Sequence, residues 1–216
     1  MSIRTRLEFS HDYTSNSIYA TIETNNLFLR PIEESHEYNC YAVYNTPEAM
    51  EKYLDGTTKD VTHTVEKIKI FANRWLTGDP FSGFAVYVKE GRGRETFAGI
   101  VILDHGDDPG VAKLEGIGNV EFWNQGYGTE ATEALIHVLA PHLAAERYLV
   151  GRTNTEVGQP LRKIVATCRM GNTSTLRTLD CIMRRNINAE LNYGILWLNY
   201  EYNLSQKNTR HMCVLL

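Results

Sequence analysis

The segment Trp123-Asn124-Gln125-Gly126-Tyr127-Gly128-Thr129-Glu130-Ala131 stands between a β-type run and a long helical one. Upstream, residues 111–120 have a strand pattern weakened by Gly116 and Gly118. Downstream, Ala131, Ala134, Leu135, Val138, Leu139 and Leu143 recur at helical spacing, which predicts a helix over about 127–147 with a kink at Pro141. The first turn of a helix carries backbone N–H groups without intrahelical partners, and the macrodipole places partial positive charge there. Glycines at 126 and 128 let the chain approach an anion closely. Strand, Gly-x-Gly turn and helix in that order form a cradle suited to a pyrophosphate. On the dipeptide pattern alone, a tight turn feeding a helix is the simpler reading. A dinucleotide fingerprint would need a third glycine and parallel strands before it, and a P-loop would need Gly-Lys-Ser/Thr.

Working outward, residues 84–88, 97–103 and 111–120 read as three strands separated by Gly91-Arg92-Gly93-Arg94 and Gly106-Asp107-Asp108-Pro109-Gly110, an antiparallel meander. Before it, residues 27–31 form a strand stopped by Pro31, and a helix is predicted over 33–44. Thr46-Pro47 begins another helix, and Val65, Ile68, Phe71, Ala72 and Trp75 mark an amphipathic helix ending near Gly78-Asp79-Pro80. After the long helix come an apolar strand (164–168), a short helix (175–183) and a strand (194–204) in which Ile195, Trp197, Tyr200 and Tyr202 alternate with other residues and which closes the sheet. This order gives a single α/β (α+β) domain over 24–204, preceded by a polar, irregular arm (1–23) and followed by a tail (205–216).

A chain of 216 residues that is 43% hydrophobic and 22% charged has enough apolar surface for one folded domain. Its net charge of −4 disfavours nucleic acid as a partner, which needs a basic face. Cys40, Cys168, Cys181 and Cys213 are widely spaced and read as free thiols of a reducing compartment. His63, His105, His137 and His142 lack ligand or triad spacing, so no metal is expected. No apolar run reaches the length of a transmembrane segment and the N-terminus lacks a signal-peptide core, so the expected setting is cytoplasmic.

The Trp123–Ala131 segment resembles the "WgkGyaTEA" form of the acyl-CoA loop of GNAT acetyltransferases, in the branch that acetylates the N-termini of ribosomal proteins (RimJ/RimL-type). Ala166-Thr167-Cys168 followed by Asn172-Thr173-Ser174-Thr175-Leu176-Arg177-Thr178-Leu179-Asp180 resembles that family's next strand and its "N-x-x-S-i-r-v-L-E-k" helix. Leu27-Phe28-Leu29-Arg30-Pro31 resembles its "L-x-L-R-P" first strand. The likeness runs over residues 24–204. The departures are Met183-Arg184 where the family has Gly-Phe, Thr175 for serine, and an apparent insertion over 146–159.

The resemblance implies a mixed central sheet of about seven strands with an antiparallel meander and flanking helices. It also implies a splayed parallel pair, residues 114–120 beside 163–168, that admits the pantetheine arm of acetyl-CoA. A backbone N–H freed by the splay would face the thioester carbonyl. Asn119, Val120, Gln125, Gly126, Tyr127, Gly128 and Thr129 would hold the cofactor near its pyrophosphate, with Asn172 and Thr175 toward its thiol end. The acceptor would be a primary amine, on a small molecule or a protein N-terminus.

Transfer needs a neutral amine, so a carboxylate must take a proton, and Glu115 and Glu121 are the candidates. Either could instead be a solvated edge glutamate. Thr175, or Ser174, stands where the family has its proton-donating serine, and could equally be a helix cap. Glu130 and Glu133 suit the helix dipole better than catalysis. Tyr38, Tyr41 and Tyr44 fall near one helix face, a pattern that more often packs a core. Two other readings stay open: a non-catalytic acyl-CoA-binding module on the same fold, and an unrelated phosphate-binding domain. The chain is expected to be a monomer or homodimer. Cys213-Val214-Leu215-Leu216 fits a C-a-a-X prenylation signal, a weak anchor with only Lys207, Arg210 and His211 as nearby basic residues; a packed apolar tail is the simpler reading.

Overall fold

The computed structural model describes residues 5–151, 157–192 and 194–205. A nine-stranded sheet forms the middle layer, ordered β1-β2-β3-β4-β5-β6-β9-β11-β10. Its strands are β1 (Arg6–Asp12), β2 (Ser17–Glu23), β3 (Leu27–Pro31), β4 (Gly83–Lys89), β5 (Glu95–His105), β6 (Val111–Gly118), β9 (Lys163–Arg169), β10 (Arg184–Asn192) and β11 (Ile195–Asn203). A two-stranded ribbon, β7 (Leu149–Val150) and β8 (Gln159–Pro160), occupies the region read as an insertion. All pairings in the large sheet are antiparallel except β6 with β9.

Helices cover both faces. On one side lie α1 (Glu37–Tyr44), α2 (Pro47–Met50) and α3 (Val61–Leu76), over a core that includes Ile32, Tyr44, Met50, Ile68, Phe71, Ile100, Ile102 and Ile117. On the other lie α4 (Tyr127–Ala134), α5 (Ala140–Ala145) and α6 (Thr173–Ile182), over the larger core around Leu103, Leu114, Leu135, Leu139 and Ile164. The period-two alternation of β5 and β6 assigns successive residues to opposite cores: Ile100 and Ile102 to one, Val101 and Leu103 to the other. On β6 the same alternation sends Lys113, Glu115 and Ile117 toward α1–α3.

The predicted long helix is continuous but not uniform. Between α4 and α5, Leu135–Leu139 form a π turn, closed by the Ala140 N–H donating to the Leu135 carbonyl. Pro141 supplies no N–H and crowds the preceding turn, so the widened turn just before it absorbs the mismatch that was expected as a kink.

Three differences from the sequence reading have local causes. Residues 6–23 are not irregular: they form the hairpin β1–β2, and Ile18, Ala20 and Ile22 of β2 are buried. The alternation was present, but the polar Asp12–Asn16 turn masked it. The sheet is closed at its far edge by β10, not by residues 194–204; β10 reads Arg-Arg-Asn-Ile-Asn-Ala-Glu-Leu-Asn and owes its form to pairing with β11. Together these raise the sheet from about seven strands to nine. The cysteines also differ: Cys40 and Cys168 are free and buried, whereas Cys181 is disulfide-bonded. Cys213 and its C-a-a-X context lie outside the described residues. No helix among the described residues is long and apolar enough to cross a membrane.

Candidate active site

The parallel pair parts early. β6 and β9 are in register only at Val111↔Lys163, Ala112↔Ile164 and Lys113↔Val165. Beyond that point β6 stays with β5 as far as Gly118, and β9 stays with β11 as far as Arg169. Residues 114–118 and 166–169 therefore diverge, and alternate residues of β6 turn backbone groups into the gap rather than toward a strand.

The chain leaving β6 is held by a bulge in the neighbouring strand. Val86 pairs with Gly99 and Tyr87 with Phe97, which leaves Ala98 as the extra residue. Its carbonyl accepts the Asn119 N–H at 2.8 Å. Gly99 has φ +147°, and a Cβ there would lie 2.4 Å from the Ile117 carbonyl oxygen, so only glycine allows β5 and β6 to approach. Asn119 then caps a 3-10 turn over Val120–Phe122, its side chain accepting from the Glu121 N–H. The Gln125 side-chain amide donates to the Glu121 carbonyl, and the Trp123 indole N–H donates to the Gly118 carbonyl.

Gly126 follows as the cap of α4, at φ +83°. No side chain caps this helix start, so the N–H groups of Tyr127, Gly128 and Thr129 lack the usual side-chain acceptor. A Cβ at Gly126 or Gly128 would meet nothing within 4 Å, so this helix start opens onto free space. Uncapped donors, a helix N-terminus and an open glycine turn fit a phosphate group. Glu130 accepts from both the backbone and the side chain of Asn26 at 2.9 Å, tying the first turn of α4 to the β2–β3 connection. Thr129 and Thr178 share a hydroxyl hydrogen bond of 2.7 Å that fixes α4 against α6. Asn172, not Ser174 or Thr175, caps α6, accepting from the Thr175 N–H. Thr175 is exposed, and among the described residues its hydroxyl makes no hydrogen bond.

Glu115 is the charged centre on the α1–α3 side of the gap, two residues past the last β6–β9 pair. Its carboxylate meets Lys113 Nζ at 2.8 Å, accepts from the Tyr53 hydroxyl at 3.0 Å and lies 3.9 Å from Lys67 Nζ. Burial pushes this carboxyl up, but Lys113, Lys67 and the Tyr53 hydroxyl outweigh it and hold it below its ordinary value. It is thus a carboxylate held ionised within a charged cluster, not a solvated edge residue. Burial also lowers Lys67, against the pull of Glu115, and raises Tyr53 well above the usual phenol. Glu121 is exposed, in the 3-10 turn, outside this cluster.

Residues that sequence reasoning passed over complete this wall. Arg169, at the end of β9, is buried and donates to the carbonyls of Glu51 and Leu54, roofing the gap with residues 51–56. Its guanidinium stacks 5.3 Å from the Trp197 ring. Nothing in its sequence context marked it. Lys67 left a trace: it is half-buried and borders, at helical spacing, the buried stripe of Thr64, Ile68, Phe71 and Trp75 on α3. The tyrosine stripe of α1 is not core throughout, since Tyr38 is exposed and Tyr44 alone is fully buried. A hollow of about 430 Å³ lies on the same side, between α1 (Asn39, Val43) and the β4–β5 hairpin (Tyr87, Phe97), and reaches Asn119. Another, of about 440 Å³ around His11, His105 and Tyr148, lies at the opposite end of β5.

Residues 26–180 match the acetyltransferase (GNAT) domain. Three solved structures share the fold. An acetyltransferase (GNAT family) from Bacillus anthracis is 16% identical with a TM-score of 0.61, over 85% of this chain and 98% of that one. The ribosomal L7/L12 alpha-N-protein acetyltransferase in complex with coenzyme A is 14% identical with a TM-score of 0.63, over 83% and 94%. Spermidine N-acetyltransferase from Vibrio cholerae, in complex with CoA and spermine, is 13% identical with a TM-score of 0.58, over 82% and 95%. No curated protein sequence matches the chain.

Proposed function

The chain belongs to the GNAT acetyltransferase family, and we propose that it transfers the acetyl group of acetyl-CoA to the nitrogen of a primary amine in the gap between β6 and β9. The observation that carries this reading is the parting of the two strands immediately beside the uncapped start of α4. Acetyl-CoA supplies the acetyl group as an activated thioester. The backbone N–H groups of Gly126, Tyr127, Gly128 and Thr129, with Gln125 beside them, hold its pyrophosphate. Asn119 and Val120 line the path from the strand. Asn172 and Thr175, at the start of α6, face the thiol end.

Glu115 is the proton acceptor for the amine, directly or through water, because it is ionised and sits at the gap. Glu121 is the weaker candidate, because it lies outside the charged cluster. Thr175 returns a proton to the leaving thiolate. In balance, a C–N bond forms, a C–S bond breaks, one proton leaves the amine and one reaches sulfur. Similarity to enzymes acting on a protein N-terminus and on spermidine brings both acceptor kinds under consideration. The proposed setting is the cytoplasm.

The test is release of free thiol from acetyl-CoA in the presence of an amine panel. Amine-dependent release is expected. Tight acetyl-CoA binding without release from any amine would instead identify a binding module.

A further inference from the structure

Past the point where β6 and β9 part, residues 51–56 reach both strands. Period two puts Glu115 of β6 and Arg169 of β9 on the α1–α3 side of the sheet, since Leu114, Ala166 and Cys168 face the other core. On that side the Tyr53 hydroxyl donates to Glu115 at 3.0 Å. The Glu51 carbonyl accepts from Arg169 Nη1 at 2.9 Å, and the Leu54 carbonyl accepts from Nε at 3.1 Å and also from Nη2. A strap therefore joins the parted strands, from Arg169 on β9 through residues 51–54 and Tyr53 to Glu115 on β6.

The form of the strap depends on the guanidinium. Leu54 is left-handed at φ +44°, a conformation a leucine keeps only where its surroundings hold it. Two of the three guanidinium bonds fall on its carbonyl. Gly56 sits at φ +83°, and a Cβ there would lie 3.2 and 3.3 Å from the two Nη atoms and 3.3 Å from the Glu51 carbonyl oxygen. The chain is thus wrapped closely round the planar fork, a shape that lysine does not offer. Trp197, opposite Arg169 on β11, stacks on it from the sheet. Arg169 is 7% exposed, and among the described residues it makes no ion pair. Burying a charge without a counter-ion is unfavourable, so stability alone does not account for this arginine.

We propose that Arg169 is a positioning residue of acetyl transfer: by fixing residues 51–56 across the parted strands it aims the Tyr53 hydroxyl at Glu115, and so orients the carboxylate that takes the amine proton. This rests on the reading of Glu115 as that acceptor. Glu115 is met by Lys113 of its own strand, Lys67 of α3 and Tyr53 of the strap, with Tyr44 of α1 beside them. Burial raises its carboxyl, the two lysines lower it, and the Tyr53 hydroxyl adds to the lowering. Releasing the strap removes that last contribution, so the carboxyl should titrate higher, nearer its ordinary value.

Two measurements test the assignment: thiol release kinetics, and NMR titration of the Glu115 carboxyl in glutamate-labelled protein, its signal identified with Glu115→Gln. Arg169→Met and Tyr53→Phe are each expected to lower kcat by about tenfold or more, because a displaced proton acceptor is a poor one. KM for acetyl-CoA should stay unchanged, and the Glu115 titration should move upward in both variants. Since Arg169 acts through Tyr53, the double variant should be no slower than Arg169→Met alone. Arg169→Lys should recover part of the rate. Gly56→Ala, which crowds the guanidinium from the strap, should repeat the loss. Thermal melts show which variants fold; should Arg169→Met not fold, Arg169→Lys and Gly56→Ala carry the comparison. A lowered Tm with wild-type kcat or a wild-type Glu115 titration makes Arg169 structural only and overturns the proposal, as do rate losses that multiply in the double variant. Absence of thiol release from every amine in the unaltered protein rejects acetyl transfer itself. The titration then judges the link from Arg169 to Glu115 separately: an upward shift retains it and an unchanged one removes it.

Discussion

Replacing the two glycines at the start of α4 separates backbone strain from loss of the cofactor cradle. Gly126 sits at φ +83°, where an L-residue costs about 1–2 kcal/mol and a β-branched one more. In a domain of this size 1 kcal/mol moves Tm by about 2–4 °C, so Gly126→Val should melt at least about 2–8 °C lower. Its side chain meets no protein atom, so the rest of its effect falls on whatever occupies the open space. Losing two charge-assisted N–H contacts of about 1.5–3 kcal/mol each weakens acetyl-CoA binding by roughly a hundredfold or more. Gly126→Asn tolerates the left-handed backbone, so it should lose cofactor affinity with little change in Tm. Gly128 has an ordinary helical backbone; Gly128→Ala should gain up to about 1 kcal/mol of stability and keep most of the affinity. Calorimetry with acetyl-CoA and thermal melts of the three variants decide it. Equal dissociation constants for Gly126→Asn and Gly128→Ala would show that the pyrophosphate does not sit at this turn.

Glu115→Gln should lower turnover by on the order of a hundredfold or more with acetyl-CoA affinity retained; wild-type rates for it beside a slow Glu121→Gln would move the base to Glu121. The same residue has a pH signature. Its folded pKa lies below the ordinary 4.5, so its share of stability is present above that value and is lost as pH falls through the lowered one. Acid denaturation of Glu115→Gln should lack that part of the slope. Arg169→Met leaves the Glu51 and Leu54 carbonyls without their donor and should cost about 2–4 kcal/mol in denaturant unfolding, which Arg169→Lys recovers only in part. Deleting residues 1–23 removes buried Ile18 and Ile22 and uncovers β3, so a loss of at least about 4 kcal/mol is expected; an unchanged unfolding midpoint would restore the reading of an arm.

The strand–glycine–helix segment, the meander before it and the amphipathic helices were legible in the residues, because each depends on interactions only a few positions apart. Period two placed β4, β5 and β6; period 3.6 placed α3 and α4; Gly126 marked a turn where a helix start lies open. Those same short-range features carry the resemblance to the acetyltransferase family. The tertiary structure alone decided what happens across the sheet. β10 is polar along most of its length and becomes a strand only because β11 offers it a hydrogen-bonding edge. The family resemblance implied a splayed pair, but the point of parting, after Lys113 and Val165, depends on which neighbour each strand keeps. Lys67, Tyr53 and Glu115 lie on three segments, as far as 62 positions apart between Tyr53 and Glu115. Their ion pair and hydrogen bond exist only once α3 is packed on β6, and the burial that results is what lowers Lys67 and raises Tyr53.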